Sequence, residues 1–450
     1  MQYCRGRRRG KCIAVTKSMK IVRESEAIVP ECEQRPMNYL KMMEQQDSEK
    51  IALIENGVVY TYGKLVFMAK EYAEENGLTL EKNKEGNKLY FIQKKTILEQ
   101  LVAFLACGTG ERIPLILPND MKELPKEKEI PSGVCMAVTT SGSTGIPKVL
   151  FRTYESWHDY FPIQNKIFGI DKGSRLFAQG SLSFTGNLNL YMAQFSVGAT
   201  VIAENKFLPK KWTRRMEEFE ADTIYLIPSK LLCLPQVMKQ PNTRVKHIIS
   251  GSQSLGKKDA AMLKQYFPNA QIVLYYGASE LNYISYVTDS EMTEDRNLIG
   301  KPFPKVQIEV QDGEIYVTNQ YHVEGVKCPY TLLDRGYMDE KGNLYFDGRS
   351  DDIVNIRGRK VSTYKIESSC NELAEIKESA VVRKVDGQRE YLALYLVTTN
   401  NEYKDAKILR EKLSNKLAPF EIPGHIVFLE ELPKKESGKI DKQKLCEINI

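Results

Sequence analysis

Thr139-Thr140-Ser141-Gly142-Ser143-Thr144-Gly145-Ile146-Pro147-Lys148 follows directly on the apolar run Val134 to Val138. The apolar run reads as a buried strand and the glycine- and hydroxyl-rich segment as the loop that leaves it. Small residues such as Gly142 and Gly145 let a backbone approach an anion closely. The N–H groups and the hydroxyls of Thr139, Thr140, Ser141, Ser143 and Thr144 can then surround phosphate oxygens, with Lys148 supplying compensating charge. The loop is not a Walker A loop, which requires GxxxxGK[ST]; its glycines and lysine fall as GxxGxxK. A plain flexible turn is the bland alternative, and the strand before and the lysine after weigh against it.

Outward from this loop, strand-like runs alternate with helical stretches. Val58 to Tyr62, Lys88 to Ile92 and Ile113 to Leu117 read as strands, and Lys64 to Glu75 and Ile97 to Ala106 as helices. Further strands are expected at Thr200 to Ala203, Thr223 to Ile227, His247 to Ser250 and Gln271 to Tyr275. The alternation predicts an α/β fold with layered, mostly parallel sheets and helices. The last hundred residues differ: strands at Ala380 to Arg383, Tyr391 to Val397 and His425 to Leu429 surround a helix with Leu409, Leu413 and Leu417 on one face. A small, separate α+β domain is expected there.

The net charge of +6 first suggests an acidic partner. However, Arg5, Arg7, Arg8, Arg9, Lys11, Lys17 and Lys20 concentrate positive charge at the N-terminus and leave the body near neutrality. A nucleic-acid-binding protein would carry that charge on its folded body, so this class is set aside. Residues 1–36 are expected to be a disordered basic extension, with folded sequence starting at Met37, where apolar periodicity begins. No run of about 18 uncharged apolar residues occurs and no secretory core is seen near the start, so a membrane span is not expected and the cytoplasm is the default location. The nine cysteines contain no CxxC pair and the four histidines no spaced cluster, which argues against a disulfide framework or a zinc site.

The 139–148 loop resembles the TSGSTGxPK phosphate loop of the adenylate-forming (ANL) superfamily, which includes acyl-CoA synthetases, peptide-synthetase adenylation domains and luciferases. Tyr276-Gly277-Ala278-Ser279-Glu280 looks like the family's YGxTE segment, Ile299-Gly300-Lys301-Pro302 like its GxP segment, and Asp334-Arg335-Gly336-Tyr337 like its D-x-G-Y motif. Gly348-Arg349-Ser350-Asp351-Asp352, Arg357-Gly358-Arg359-Lys360-Val361 and Ser437-Gly438-Lys439 follow in the family's order. The resemblance implies a large AMP- and acid-binding domain over 37–347, a hinge at 348–352 and a small mobile C-terminal domain over 353–450.

The resemblance also implies a chemistry: ATP and Mg²⁺ activate a carboxylic acid as its acyl-adenylate, and the acyl group then passes to a thiol. Coenzyme A is the first expectation for the thiol. A separate acyl carrier protein, loaded with an acyl or aminoacyl group, is the alternative. By resemblance, Lys439 bridges the substrate carboxylate and the α-phosphate during adenylation, and Glu280 holds Mg²⁺. Thr140 or Ser279 touches phosphate, Tyr276 beside Gly277 stacks on adenine, Asp334 takes the ribose hydroxyls and Arg349 reaches ribose or phosphate. Asp351 maps to the hinge. Rotation there is expected to exchange Lys439 for the Arg357-Gly358-Arg359 loop, with Gly358 and Arg359 lining a thiol tunnel. A degenerate, non-catalytic nucleotide-binding member is the rival from another class, and the presence of Lys439, Glu280, Asp334 and Arg349 weighs against it.

The acid pocket maps to Phe184, Thr185, Gly186, Asn189, Tyr225, Ser250, Gly251, Tyr275 and Tyr283. Amino-acid-activating relatives carry an aspartate where this chain has Thr185, and a neutral hydroxyl cannot pair with an α-ammonium. The three tyrosines shorten the cavity, so a small or medium acid is expected. The region before the phosphate loop is short for the family, which implies reduced N-terminal elements.

Overall fold

The computed structural model describes residues 38–79, 88–110, 112–125, 129–140, 148–356, 359–386, 389–399, 404–435 and 438–448. The basic segment 1–36, Met37, the loop residues Ser141, Gly142, Ser143, Thr144 and Gly145, and Gly358 lie outside the described residues.

Among the described residues, thirteen strands form one large sheet. Its heart is parallel and runs in the order Ile51–Glu55, Thr200–Glu204, Arg175–Gln179, Thr223–Tyr225, His247–Gly251 and Gln271–Ala278. These strands are covered on both faces, and Thr200–Glu204 is buried throughout. That is why the four expected ones, Thr200–Glu204, Thr223–Tyr225, His247–Gly251 and Gln271–Ala278, read as continuous apolar runs rather than as alternating ones, while Ile51–Glu55 and Arg175–Gln179 come in addition to them. The expected parallel character holds here and ends at Gln271–Ala278. Beyond it Asn282–Thr288, Leu298–Pro302, Leu344–Arg349, Tyr330–Met338, Glu314–Thr318 and Gln307–Gln311 continue the sheet antiparallel, so the whole is mixed. At the other edge Val58–Thr61 also pairs antiparallel.

A second sheet orders Leu89–Ile92, Ile113–Ile116, Val134–Thr139 and Val149–Thr153. Its last two strands are an antiparallel hairpin, and the phosphate-loop segment is the hairpin's connection. Thr140 N–H donates to the Lys148 carbonyl at 3.1 Å and closes the neck of that loop. The helix Thr185–Ser196 is buried from Asn187 to Phe195, with the amides Asn187, Asn189 and Gln194 among its buried side chains.

The C-terminal part contains the hairpin Ile353–Ile356 and Arg359–Ser362, then a sheet of Ile376–Asp386, Arg389–Thr398 and His425–Phe428 flanked by helices Thr363–Asn371, Ala406–Ser414 and Lys442–Glu447. Leu409 and Leu413 pack with Ile366, Val381 and Leu394 in a core of their own, and Leu417 joins it from beyond the helix end. The large clusters of the N-terminal part draw on none of these residues.

Candidate active site

The neck of the phosphate loop, the C-terminal end of the parallel sheet and Lys439 of the C-terminal part are among the pieces of chain that meet at one cavity of about 380 Å³. Ligands of open α/β sheets bind outside the carboxyl ends of the strands, which is where this cavity lies. Thr140 and Lys148 line it from the loop neck. Gly277 lines it from the end of the strand Gln271–Ala278, Ser279 and Glu280 from the turn that follows, and Arg349, Asp351 and Lys439 line it as well. Gly277 has no room for a side chain, since a Cβ would stand 2.7 Å from the Asn282 carbonyl. The turn that presents Glu280 is held from outside, its carbonyl accepting Val323 N–H at 2.9 Å.

The electrostatics are those of an anion site. Burial lowers the pKa of Lys439, and the like charges of Arg349 and Lys435 lower it further, while Asp334 and Glu280 oppose them. Burial also raises the Asp334 carboxyl against the opposing pull of Arg349. Arg349 Nε donates to Asp334 Oδ1 at 3.0 Å, and the Tyr276 phenol donates to Oδ2. Burial alone would lower Arg349, but Asp334, Asp351 and Tyr276 together outweigh it and raise it. Tyr276 and Asp334 stand behind the cavity wall rather than in its lining. Among the described residues no cluster of three metal-ligating side chains occurs. A single carboxylate, Glu280, suits magnesium, which is commonly held by one or two carboxylates together with substrate phosphates.

The inner end of the cavity is aromatic. Phe184, Thr185, Gly186, Asn189, Tyr275 and Tyr283 all line it. Ser279 Oγ donates to Thr185 Oγ1 at 3.1 Å, and the Tyr283 phenol to Asn189 Oδ1 at 2.9 Å. Tyr225 lies behind Tyr275, their hydroxyls 2.8 Å apart. Burial raises the Tyr225 and Tyr283 phenols well above their usual range, so this floor stays uncharged. Gly251 backs onto the Tyr275 ring, where a Cβ would come within 2.7 Å. The Ser250 hydroxyl donates to the Leu226 carbonyl at 2.7 Å. Tyr225, Ser250 and Gly251 therefore support the floor without lining it. Thr139 is buried at its strand end, and the Arg359 guanidinium lies over the Phe420 ring at 4.9 Å; neither lines the cavity.

Sequence reasoning missed Arg152 and Trp157, which line the same cavity. Arg152 is fully buried, its guanidinium 5.4 Å from the Trp157 ring. It donates to the Ser279 carbonyl at 2.7 Å, to the Tyr321 carbonyl at 3.2 Å and to Ser156 Oγ at 3.2 Å. Burial pushes it down to about 10. It thus ties the Glu280 turn to the hairpin that carries the phosphate loop. The available signal was an arginine closing the apolar run Val149 to Phe151, just after Lys148. Leu333 also lines the cavity, and its φ of 62° is a left-handed conformation that strains a leucine.

The model of the AMP-binding enzyme family matches residues 108–325, and that of the AMP-binding enzyme C-terminal domain matches residues 365–439. The chain is 27% identical over 325 residues to an uncharacterized acyl-CoA ligase, YhfT, of Bacillus subtilis, covering 68% of this chain and 67% of that protein. It is 25% identical over 344 residues to a D-alanine–D-alanyl carrier protein ligase of Lactococcus lactis, covering 69% of each. The fold is shared with o-succinylbenzoate CoA synthetase from Bacillus subtilis in complex with its acyl-adenylate intermediate, with a TM-score of 0.76 at 19% identity over 92% of this chain and 98% of that one.

Proposed function

The chain belongs to the adenylate-forming superfamily and is an AMP-forming acid ligase, and on that premise we propose that it joins a small carboxylic acid to ATP and passes the acyl group to the thiol of coenzyme A. The observation that carries this reading is the convergence of Lys148, Glu280, Arg349 and Lys439 on one cavity that ends in an uncharged aromatic floor. A carboxylate and a triphosphate repel one another, so their approach needs fixed cations and donors. Lys148 and the Thr140 hydroxyl would receive phosphate oxygens, and Lys439 would lie between the carboxylate and the α-phosphate. A carboxylate oxygen attacks the α-phosphorus, the bond to the β-phosphate oxygen breaks, and pyrophosphate leaves. Magnesium held at Glu280 would neutralise charge on the phosphates when bound. In the second step a thiolate sulfur attacks the acyl carbonyl and the carbon–oxygen bond to AMP breaks.

The arrangement in hand, with Lys439 at the cavity and Arg359 on Phe420, suits the first step. Rotation about Asp351 would withdraw Lys439 and bring in the 357–359 segment for the second. Thr185 offers no charge to an α-ammonium, and the lining carboxylates among the described residues are Glu280 and Asp351, so a simple acid fits better than an α-amino acid. The likeness to the carrier-protein ligase supports a carrier thiol as the second reading for the acceptor. Acid-dependent exchange of pyrophosphate with ATP tests the first step. Lys439→Ala should cut it by about a hundredfold or more, while a supplied acyl-adenylate still reacts with coenzyme A. Equal loss of both half-reactions would contradict the assignment.

A further inference from the structure

Asn189 sits one helical turn beyond Thr185 on the helix Thr185–Ser196, so its side chain lies about 6 Å deeper along the axis on the same face. It is 3% exposed and lines the cavity. Its carbonyl oxygen is filled twice, by the Tyr283 phenol at 2.9 Å and by Gln164 Nε2 at 3.0 Å. Its amide nitrogen has no partner. Gln164 is itself fully buried and has an unpartnered oxygen, so the pair cannot relieve the deficit by turning over together. In one orientation the amide group left over at Asn189 is a donor, and in the other it is an acceptor. A buried polar group left unmatched is costly, and the rest of this floor is aromatic and neutral.

We propose that the acid activated at this site carries a hydroxyl remote from its carboxyl, received by Asn189 at the inner end of the pocket. This rests on the acid-ligase reading above and adds the substrate class to it. A hydroxyl is both donor and acceptor, so it pairs with the free amide group in either orientation. The reacting carboxyl belongs near Lys439 at the mouth. The step of about 6 Å from Thr185 to Asn189 therefore puts the hydroxyl several bonds away, on a ring or at the end of a short chain, rather than on the α-carbon. Asn189 is a specificity-determining residue in this account.

The test uses matched pairs with the full chain: benzoate against para-hydroxybenzoate, and hexanoate against ω-hydroxyhexanoate. Each is measured by pyrophosphate exchange and by equilibrium binding in the presence of AMP. The hydroxy acid of at least one pair is expected to lead by about tenfold or more. Asn189→Leu should reverse that ratio. If the Asn189→Leu substitution compromises folding, judged by the nucleotide-dependent melting temperature, Asn189→Ala should bring the ratio toward unity instead. Exchange with plain acids but no gain from the hydroxyl, or a gain that survives both substitutions, overturns the proposal and leaves the ligase reading standing. Selective, Asn189-dependent binding of hydroxy acids without exchange would overturn the ligase reading and keep the pocket assignment. Failure of every hydroxy acid both to bind and to exchange overturns the proposal as well.

Discussion

Gly186→Ala tests whether the tyrosine floor is as tightly fitted as the geometry says. A Cβ at this position would stand 2.4 Å from Tyr225 Oη, 3.0 Å from Phe184 Cε1 and 3.1 Å from Tyr275 Oη. Comfortable contact begins at about 3.5 Å, so Tyr225 must retreat by roughly 1 Å. It cannot do so freely, because its hydroxyl is 2.8 Å from that of Tyr275 and both rings are buried. Overpacking of this kind costs about 1–3 kcal/mol. The better helix propensity of alanine returns up to about 1 kcal/mol. A net loss of about 1–2 kcal/mol is expected, read as a fall of roughly 1–3 °C in melting temperature. Tyr225→Phe removes the clashing oxygen and by itself costs about 1 kcal/mol for the lost phenol pair. Combined with Gly186→Ala, it should restore stability through a favourable coupling of about 1–2 kcal/mol in a double-mutant cycle. Strict additivity, or a Gly186→Ala protein that melts with the parent, would refute the packing argument.

Three further outcomes follow from the same site. Lys230 lies beside Gly438, where a Cβ would meet its Cε at 3.1 Å, and burial, helped by Lys434, pushes its ammonium down to about 8. The folded protein therefore binds fewer protons than the unfolded chain between that pH and the ordinary lysine range. Stability should rise as pH climbs through this window, and Lys230→Met should melt higher at neutral pH and flatten the rise; an unchanged pH profile would contradict it. Arg152→Met leaves the Ser279 and Tyr321 carbonyls without their donor, so denaturant unfolding should show a loss of about 2 kcal/mol, with exchange activity falling because the Glu280 turn loosens. An Arg152→Met protein of parental stability and activity would leave this arginine without its assigned role. Thr185→Asp should shift the ratio of kcat/KM toward α-amino acids when each is compared with its des-amino counterpart within one variant. A parent enzyme that already prefers the amino acid by about tenfold would reverse the reading of Thr185.

Several elements were legible from apolar patterning and capping. The helix Ile97–Ala106 has the bounds its sequence suggests because Thr96 and Glu99 form a capping box at its start and its apolar run ends at Cys107. Four of the six parallel strands were legible as apolar runs, whereas Ile51–Glu55 and Arg175–Gln179, the latter bounded by polar Arg175 and Gln179, were not. The antiparallel half was not, because strands such as Gln307–Gln311 lie at an exposed edge and carry little apolar signal. Motif residues that line the cavity, such as Lys148 and Glu280, could be named from the resemblance to the family's motifs. Arg152 could not, since nothing in a single strand tells whether an arginine turns outward to water or inward under Trp157. Nor does the spacing of Tyr225 and Tyr275 tell that their hydroxyls meet. That contact depends on the register of Thr223–Tyr225 and Gln271–Ala278 against the strand between them.

The motifs assign Tyr276, Asp334 and Arg349 separate contacts to one nucleotide, yet the structure joins them to each other first. Both Asp334 oxygens already receive a protein donor, one from the Tyr276 phenol and one from Arg349 Nε. An ionised carboxylate offers about four lone-pair sites, so two remain for a pair of ribose hydroxyls. The protein donors hold the carboxylate in one plane, and the bond from Asp334 fixes the turn of the Tyr276 ring before any base arrives. They also offset part of what burial takes from Asp334, whose pKa is still raised. A ribose diol bound as the motifs imply would have to reach these unspent sites through the cavity wall behind which Asp334 stands, and its orientation would be set by groups that it never touches. On that assignment Tyr276 would contribute through its hydroxyl, by ordering Asp334, as much as through any face its ring offers to an adenine.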